Sequence, residues 1–271
     1  MRFSILTPSF NQGQYIEKNI RSVMNQDWDD VEHIVIDGGS TDNTLNVLKK
    51  YSHLKWISEP DDGQADALNK GLKMATGDII GWINSDDYYE SNIFNEVFSF
   101  FNNEPVRWVI GNIFSTYPSF GITEKVVSPE TTYKRLLKNP DIVRQQAAFF
   151  KKDALIEIGG WNKQYHMAMD YDLWVRLSKN ETPIMVNREW AYFTHHEHQK
   201  TSSKNILLQV SDIENILRKE NLSWIKIQKI VTPKYFYFIK AIVKNIFIRL
   251  HFLDSKYQNT PIKLLKKYYK F

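Results

Sequence analysis

The 271-residue sequence predicts an α/β fold, a mostly parallel sheet flanked by helices and followed by a C-terminal helical extension. Three observations predict it. The first hundred residues alternate short apolar runs with segments of helical spacing, joined by brief connections, the pattern of a parallel sheet with helices on both faces. Hydrophobic residues make up 42% and charged residues 24%, enough for a sizeable core and too apolar for a disordered chain. An amide, Asn11, and then carboxylates, Asp37, Glu59, Asp61, Asp62, Asp86 and Asp87, recur at the ends of four successive strand-like runs, where open α/β sheets place their ligand crevice.

Each element has its own reason. Residues 3–7 form a short apolar run of strand length. Over 14–24, Ile16, Ile20, Val23 and Met24 share one side at helical intervals. Residues 32–36 read as a second strand, and 41–50 as a helix opened by Ser40, Thr41 or Asp42, whose side-chain oxygens suit an N-cap. A third strand at 55–58, a helix at 64–74, a fourth strand at 79–83 and a helix at 92–101 continue the alternation. Further on, 108–114 and 123–127 read as strands, 131–138 as a helix, 146–150 as a strand, and 153–158 as a short helix ended by Gly159-Gly160. Residues 170–178 are helical and 191–195 strand-like.

The absence of cysteine excludes disulfides, thiolate metal sites and Cys nucleophiles. The N-terminus reads straight into a strand with no apolar leader, and no run of about 18 uncharged apolar residues suggests a transmembrane helix. A cytoplasmic location is the expectation. The net charge of +4 averages two unlike parts: from Lys204 onward basic residues outnumber acidic ones 14 to 4, leaving residues 1–203 acidic. The charge divides the chain into a body at 1–203, with a further division expected near 115, and a basic extension at 204–271.

Among the carboxylates, Asp86-Asp87 at the end of the fourth strand is the most telling. Adjacent carboxylates repel unless a cation lies between them, and oxygen ligands suit Mg²⁺ or Mn²⁺ with a diphosphate. Asp37-Gly38-Gly39-Ser40-Thr41-Asp42 puts two glycines before a helix N-terminus, where a ring or phosphate can approach. An ordinary strand–helix turn uses the same residues.

Thr7-Pro8-Ser9-Phe10-Asn11, Asp37 to Asp42, Glu59-Pro60-Asp61-Asp62-Gly63-Gln64-Ala65-Asp66-Ala67-Leu68-Asn69-Lys70-Gly71 and Asn84-Ser85-Asp86-Asp87 stand in the order and spacing of family 2 glycosyltransferases. The chain resembles these inverting enzymes of the Rossmann-like GT-A fold over roughly residues 3–203, and of the bacterial surface-glycan type. The resemblance implies that Asp37 reads the nucleobase of a nucleoside-diphosphate sugar, usually uracil, with Pro8 and Asn11 lining the pocket. It implies that Asp66 helps hold the nucleotide, that Asp86 contacts ribose or sugar, and that Asp87 binds the metal. One departure is Asn84, where many relatives carry Asp.

In Met169-Asp170-Tyr171-Asp172-Leu173-Trp174-Val175-Arg176, Asp172 and Arg176 suit an ion pair one helical turn apart. Asp170 falls at the helix start and matches the family's catalytic base, with Met169 in place of the usual Glu. An ionised carboxylate there can take the acceptor hydroxyl's proton. His195-His196-Glu197-His198 resembles a zinc site only superficially, because no further ligand partner accompanies it. The family instead places a His here to complete the metal shell or touch the diphosphate. His196 matches it, and Lys200 suits the leaving group's charge. Gln145-Gln146 and Gly159-Gly160-Trp161 match positions that shape the acceptor side, or equally a strand edge and a packed turn.

Residues 234–253 carry Tyr235, Ile239, Ile242, Val243, Ile246, Phe247, Leu250 and Leu253 on one helical face, with lysines on another, and 263–270 repeat the theme. Such a stripe suits three surfaces: the catalytic domain, an anionic membrane, or a second subunit in a homodimer. Nucleic acid is disfavoured by the acidic body. The sequence reads as a non-processive glycosyltransferase using a nucleotide sugar, with UDP expected, and a glycan or lipid-linked glycan acceptor. A nucleotidyltransferase would call for a Gly-rich basic phosphate loop after the first strand, and a non-catalytic sugar-nucleotide sensor or membrane scaffold would not need Asp170.

Overall fold

The computed structural model describes residues 1–103, 106–140, 142–197, 199–200 and 205–233. The first half builds as the alternation predicts. β1 (Phe3–Ser9), β2 (Val31–Asp37), β3 (Lys55–Ser58) and β4 (Ile79–Trp82) are parallel in the order β3-β2-β1-β4, with α1 (Ile16–Met24), α2 (Thr44–Leu48) and α3 (Gln64–Met74) between them. β1 and β4 are buried along their whole length, which explains why they read as continuous apolar runs rather than alternating ones.

The second half is mixed rather than parallel. β5 (Tyr88–Tyr89), α4 (Phe94–Asn103), β6 (Trp108–Tyr117), β7 (Ile122–Val126), α5 (Tyr133–Leu136), β8 (Ala148–Lys151), α6 (Lys152–Glu157), α7 (Met169–Asn180) and β9 (Ile184–Thr194) complete a nine-stranded sheet among the described residues. β8 lies antiparallel between β4 and β6, β9 is parallel to β6, and β7 and β5 are antiparallel additions. β5 is two residues long and carries no alternation of its own. β9 begins at Ile184, seven residues before the strand-like run that the apolar pattern marks, because Asn187, Arg188 and Glu189 interrupt that pattern where the register with β6 shifts, while pairing holds on either side.

Beyond the sheet, α8 (Ile206–Lys219) and a helix at 224–233, α9, do not stand apart. Val210, Ile213, Ile216, Leu217, Ile227 and Val231 join the core cluster that contains Trp108, Trp174 and Leu136. Trp108 and Trp174 stack with centroids 5.7 Å apart at the centre of that cluster. The part of the expected extension at 206–233 thus packs into the core. The stripes at 234–253 and 263–270 lie outside the described residues.

Candidate active site

β1 and β2 run in register to Ser9 and Asp37, so their ends arrive side by side. Asp37 is wholly buried. Its Oδ2 accepts from the Ser40 N–H (2.8 Å), the Gly39 N–H (3.2 Å) and the Ser58 hydroxyl (2.6 Å), and Oδ1 accepts from the Ser40 hydroxyl. Asp37 therefore ties β2 to β3 and closes its own turn, in which Gly39 takes φ +83°. Asn11, at φ +53°, clamps the β1 loop to that turn: its N–H donates to Ser40 Oγ (2.7 Å), and its Oδ1 accepts from the Thr41 N–H (2.9 Å). Pro8 is buried in β1 beside Ile36. Asp37, Asn11 and Pro8 are thus brought together, with Ser40 as the link.

Asp61 and Asp66 flank the start of α3. Asp61 Oδ1 accepts from the Gly63 N–H (2.8 Å), and a Cβ on Gly38 would stand 2.8 Å from Asp61 Oδ2, so the glycine admits this carboxylate. Burial pushes the Asp61 carboxyl up. Asp66 sits to one side, paired with Lys163 (3.0 Å) and more loosely with Lys70 (3.6 Å); the Lys163 hydrogen bond holds its carboxyl below the usual range.

After β4 the chain enters an amide circuit. Asn84 Oδ1 accepts from Gln64 Nε2 (2.7 Å) and Trp82 Nε1 (3.0 Å), its amide donates to Gln145 Oε1 (3.1 Å), and Gln145 Nε2 donates to the Trp82 carbonyl (2.6 Å). A carboxylate at position 84 has no hydrogen to give Gln145 Oε1. The asparagine that departs from the family pattern thus matches its own neighbours. Gln145 belongs to this circuit, and its neighbour Gln146 bonds Asp87.

Asp86 and Asp87 point to different partners. Asp86 Oδ2 lies 2.9 Å from His196 Nε2, and the Tyr15 ring stacks on that imidazole at 4.3 Å. Burial, then the charges of Asp86 and Glu197, push the Tyr15 phenol up. Asp87, expected as the metal ligand, is 1% exposed: Oδ1 accepts from the Thr194 N–H (3.0 Å) and Oδ2 from Gln146 Nε2 (3.0 Å). Burial and the Asp86 charge raise its carboxyl well above the ordinary range. Its two oxygens are committed to β9 and the Gln145–Ala147 turn, and the group that meets His196 is Asp86. Among the described residues no cluster of three or more His, Asp, Glu or Cys stands ready for a metal.

Asp170 occupies the first turn of α7, where its Oδ1 accepts the Tyr171 N–H (2.8 Å). Asp172 and Arg176 form the expected pair (2.7 Å). The N-cap of α7, Ala168, has no side-chain oxygen to offer. Asp212 from α8 supplies one: its Oδ2 accepts the N–H groups of Met167 (2.8 Å) and Ala168 (3.2 Å). Lys200 reaches Gln64 Oε1 (3.2 Å), and desolvation lowers its ammonium pKa against the pull of Asp170, Asp212 and Asp61. Although the residue as a whole is exposed, its charged end lies within the field of these three carboxylates. Sequence reasoning missed Tyr15, the bridging role of Gln64 and the Asp212 cap. Gln64 stood within a quoted motif, whereas nothing in the sequence marks Asp212.

Comparison with known proteins bears on the family and the fold. The profile described as "Glycosyl transferase family 2" matches residues 4–159. An uncharacterized glycosyltransferase of Mycobacterium tuberculosis is 29% identical over 189 residues, covering 68% of this chain and 71% of its own. A PGL/p-HBAD biosynthesis glycosyltransferase of Mycobacterium bovis is 28% identical over 193 residues, covering 69% and 72%. Among solved structures, S. aureus TarS 1–349 in complex with UDP superposes with a TM-score of 0.62 at 19% identity, over 87% of this chain and 71% of that one. The mannosyltransferase PcManGT from Pyrobaculum calidifontis, in complex with GDP-Man and Mn²⁺, gives 0.61 at 17% identity, over 88% and 69%. At these identities the structural likeness speaks for the fold.

Proposed function

The chain belongs to glycosyl transferase family 2 and is a glycosyltransferase of GT-A-like fold, and from that premise we propose that it transfers a hexosyl or N-acetylhexosaminyl group, with inversion, from a UDP-sugar to a hydroxyl of a glycan or lipid-linked glycan. The observation that carries the reading is the Asp86–His196 contact, just past β4 at the same end of the parallel strands as the Asp37 turn, with Lys200 in the field of Asp170 and Asp61.

The donor set admits a divalent cation: one carboxylate oxygen, which suits Mg²⁺ or Mn²⁺, and one imidazole nitrogen, which Mn²⁺ accepts more readily than Mg²⁺, converge. Asp86 and His196 would hold it, so Asp86 takes the place expected for Asp87, and Asp87 braces the turn from behind. A cation bound there supplies Lewis-acid charge to the departing diphosphate. The chain's own residues do the rest. Asp37, Pro8 and Asn11 form the floor on which the nucleobase lies, with Asp66 at its margin. Asp170 takes the proton of the acceptor hydroxyl as that oxygen attacks the anomeric carbon from the face opposite the nucleotide, which inverts the centre. Lys200, oriented by Gln64, places positive charge near the leaving group.

Among the described residues no helix is long and apolar enough to cross a membrane. The basic stripe at 234–253 supports peripheral contact with an anionic inner membrane face, which suits a lipid-linked acceptor. The test is a panel of nucleotide sugars with Mn²⁺ or Mg²⁺, comparing wild type with D170N. UDP-sugars should turn over in the wild type, and D170N should lose about 10²–10⁴-fold in kcat while still binding UDP. Retained turnover in D170N refutes the base, and no turnover of any UDP-sugar refutes the donor.

A further inference from the structure

Asn19 lies mid-way along α1 and is wholly buried. Asparagine is a poor helix former, and a buried amide is costly unless its hydrogen bonds are made. Here they are made, and to one target. The Asn19 amide donates one hydrogen to the Asn84 carbonyl (2.9 Å) and the other to the Asp87 carbonyl (2.9 Å), the two ends of the turn that carries Asp86. Its Oδ1 accepts from the Thr7 hydroxyl (3.3 Å).

The direction of this chain of bonds follows. Thr7 spends its single hydrogen on Asn19, so the 2.9 Å contact between Thr7 Oγ1 and His33 Nε2 has the imidazole donating. His33 is then the Nε2–H tautomer, which agrees with Nδ1 being buried without a partner. Burial lowers the ring to about 3, so it stays neutral near pH 7. The amide of Asn19 is thereby held in one orientation, nitrogen toward the turn. Ser22 of α1 and Gln26, just past its end, continue the row: Ser22 Oγ accepts the Tyr89 N–H (3.1 Å), and Gln26 Nε2 donates to the Glu90 carbonyl (2.8 Å).

We propose that Asn19, oriented by Thr7 and His33, is a positioning residue that fixes the Asn84–Asp87 turn and so sets Asp86 against His196. The inference rests on the reading of Asp86 and His196 as the cation pair. Neither Asp, which cannot donate twice, nor an apolar residue can replace Asn19 in this role. Thr7 must keep its hydroxyl but not its methyl.

The experiment compares wild type, N19D, T7V and T7S in two measurements. One is amide exchange over residues 84–90, which includes the Asp87 N–H bonded to the Asn84 carbonyl (3.0 Å). The other is Mn²⁺ affinity in the presence of UDP by calorimetry. N19D should speed exchange and weaken Mn²⁺ about 10–100-fold, the range seen when a group behind a metal ligand is lost. T7V should move both measurements the same way, and T7S should restore both to within about twofold. Should N19D fail to fold, the T7V and T7S pair decides alone. Wild-type exchange and Mn²⁺ affinity in T7V, faster exchange without weaker Mn²⁺ binding, or a T7S defect equal to that of T7V would each overturn the proposal. If the wild type binds no Mn²⁺ with UDP, it is the cation reading that falls, and exchange alone then decides whether Asn19 holds the turn.

Discussion

Asp212→Ala removes the carboxylate that α8 lends to the start of the helix that carries Asp170. Asp212 Oδ2 accepts two backbone N–H groups, Met167 at 2.8 Å and Ala168 at 3.2 Å, at the positive end of the twelve-residue α7. Loss of an N-cap costs about 1 kcal/mol. The acceptor here is charged and satisfies two donors, so about 2 kcal/mol is the better figure. For a chain of this size each kcal/mol moves Tm by about 2–4 °C, which gives a drop of about 4–8 °C. Asp212→Asn keeps an oxygen in place without the charge and should lose about half as much. Asp170 lies two residues beyond Ala168, so fraying of the first turn should also lower kcat, by about tenfold, with UDP affinity unchanged. Thermal unfolding by circular dichroism and initial rates at saturating UDP-sugar read the two effects. A Tm within about 1 °C of wild type together with an unchanged kcat refutes the reasoning and leaves α8 as mere cover.

Three other outcomes follow from named residues. His33 has a folded pKa of about 3 against about 6.5 unfolded, so the native state takes up fewer protons: its share of stability is whole above pH 6.5 and is lost as pH falls toward 3. Urea titrations should show this residue removing about 2 kcal/mol between pH 6.5 and 5, a slope absent from H33N whatever its baseline. K200M should lower kcat by about 10–100-fold with little change in UDP affinity, measured by steady-state rates and calorimetry; an unaltered kcat removes Lys200 from the chemistry. Deleting residues 234–271 should release the chain from anionic vesicles in a sedimentation assay, and unchanged vesicle binding ends the membrane reading. The cut belongs after residue 233, because an earlier one strips Ile227 and Val231 from the core.

The parallel half of the fold was legible because β1, β2 and β4 are buried runs and its helices bury one face, while the partly exposed edge strand β3 is marked by the residues around it. The helix expected at 64–74 and the strand at 55–58 coincide with α3 and β3, and both are bounded by turn residues. The second half hid its order. A parallel sheet is what alternation suggests, yet β8 is antiparallel to β4, and only long-range pairing, which leaves no local pattern, decides that direction. The same division runs through the site. Asp37, Asp86, His196 and Asp170 were visible as residues in a motif, but their partners were not. Asp212 lies 42 residues beyond Asp170 and Gln146 lies 59 beyond Asp87, separations at which a sequence shows composition and no contact.

The adjacent carboxylates make the point most sharply. Read as a sequence, Asp86-Asp87 asks for a cation, because two negative charges on neighbouring residues repel. The fold relieves that repulsion by another route: it turns Asp87 inward to the Thr194 N–H and the Gln146 amide, raises its carboxyl pKa by burial, and leaves Asp86 alone at the cleft. The pair by itself therefore requires no metal. The argument for one passes to the contact that the sequence did not show, Asp86 against His196 under the Tyr15 ring, where a carboxylate and an imidazole from distant segments converge on one point. Substitutions distinguish the two arguments. D86N should abolish Mn²⁺ binding in the presence of UDP with little change in Tm, whereas D87N, buried between two donors, should cost stability first and Mn²⁺ affinity only as the turn loosens. If D87N instead abolishes Mn²⁺ binding at unchanged Tm while D86N spares it, the cation belongs to Asp87 after all, and the buried carboxylate must turn outward to meet it.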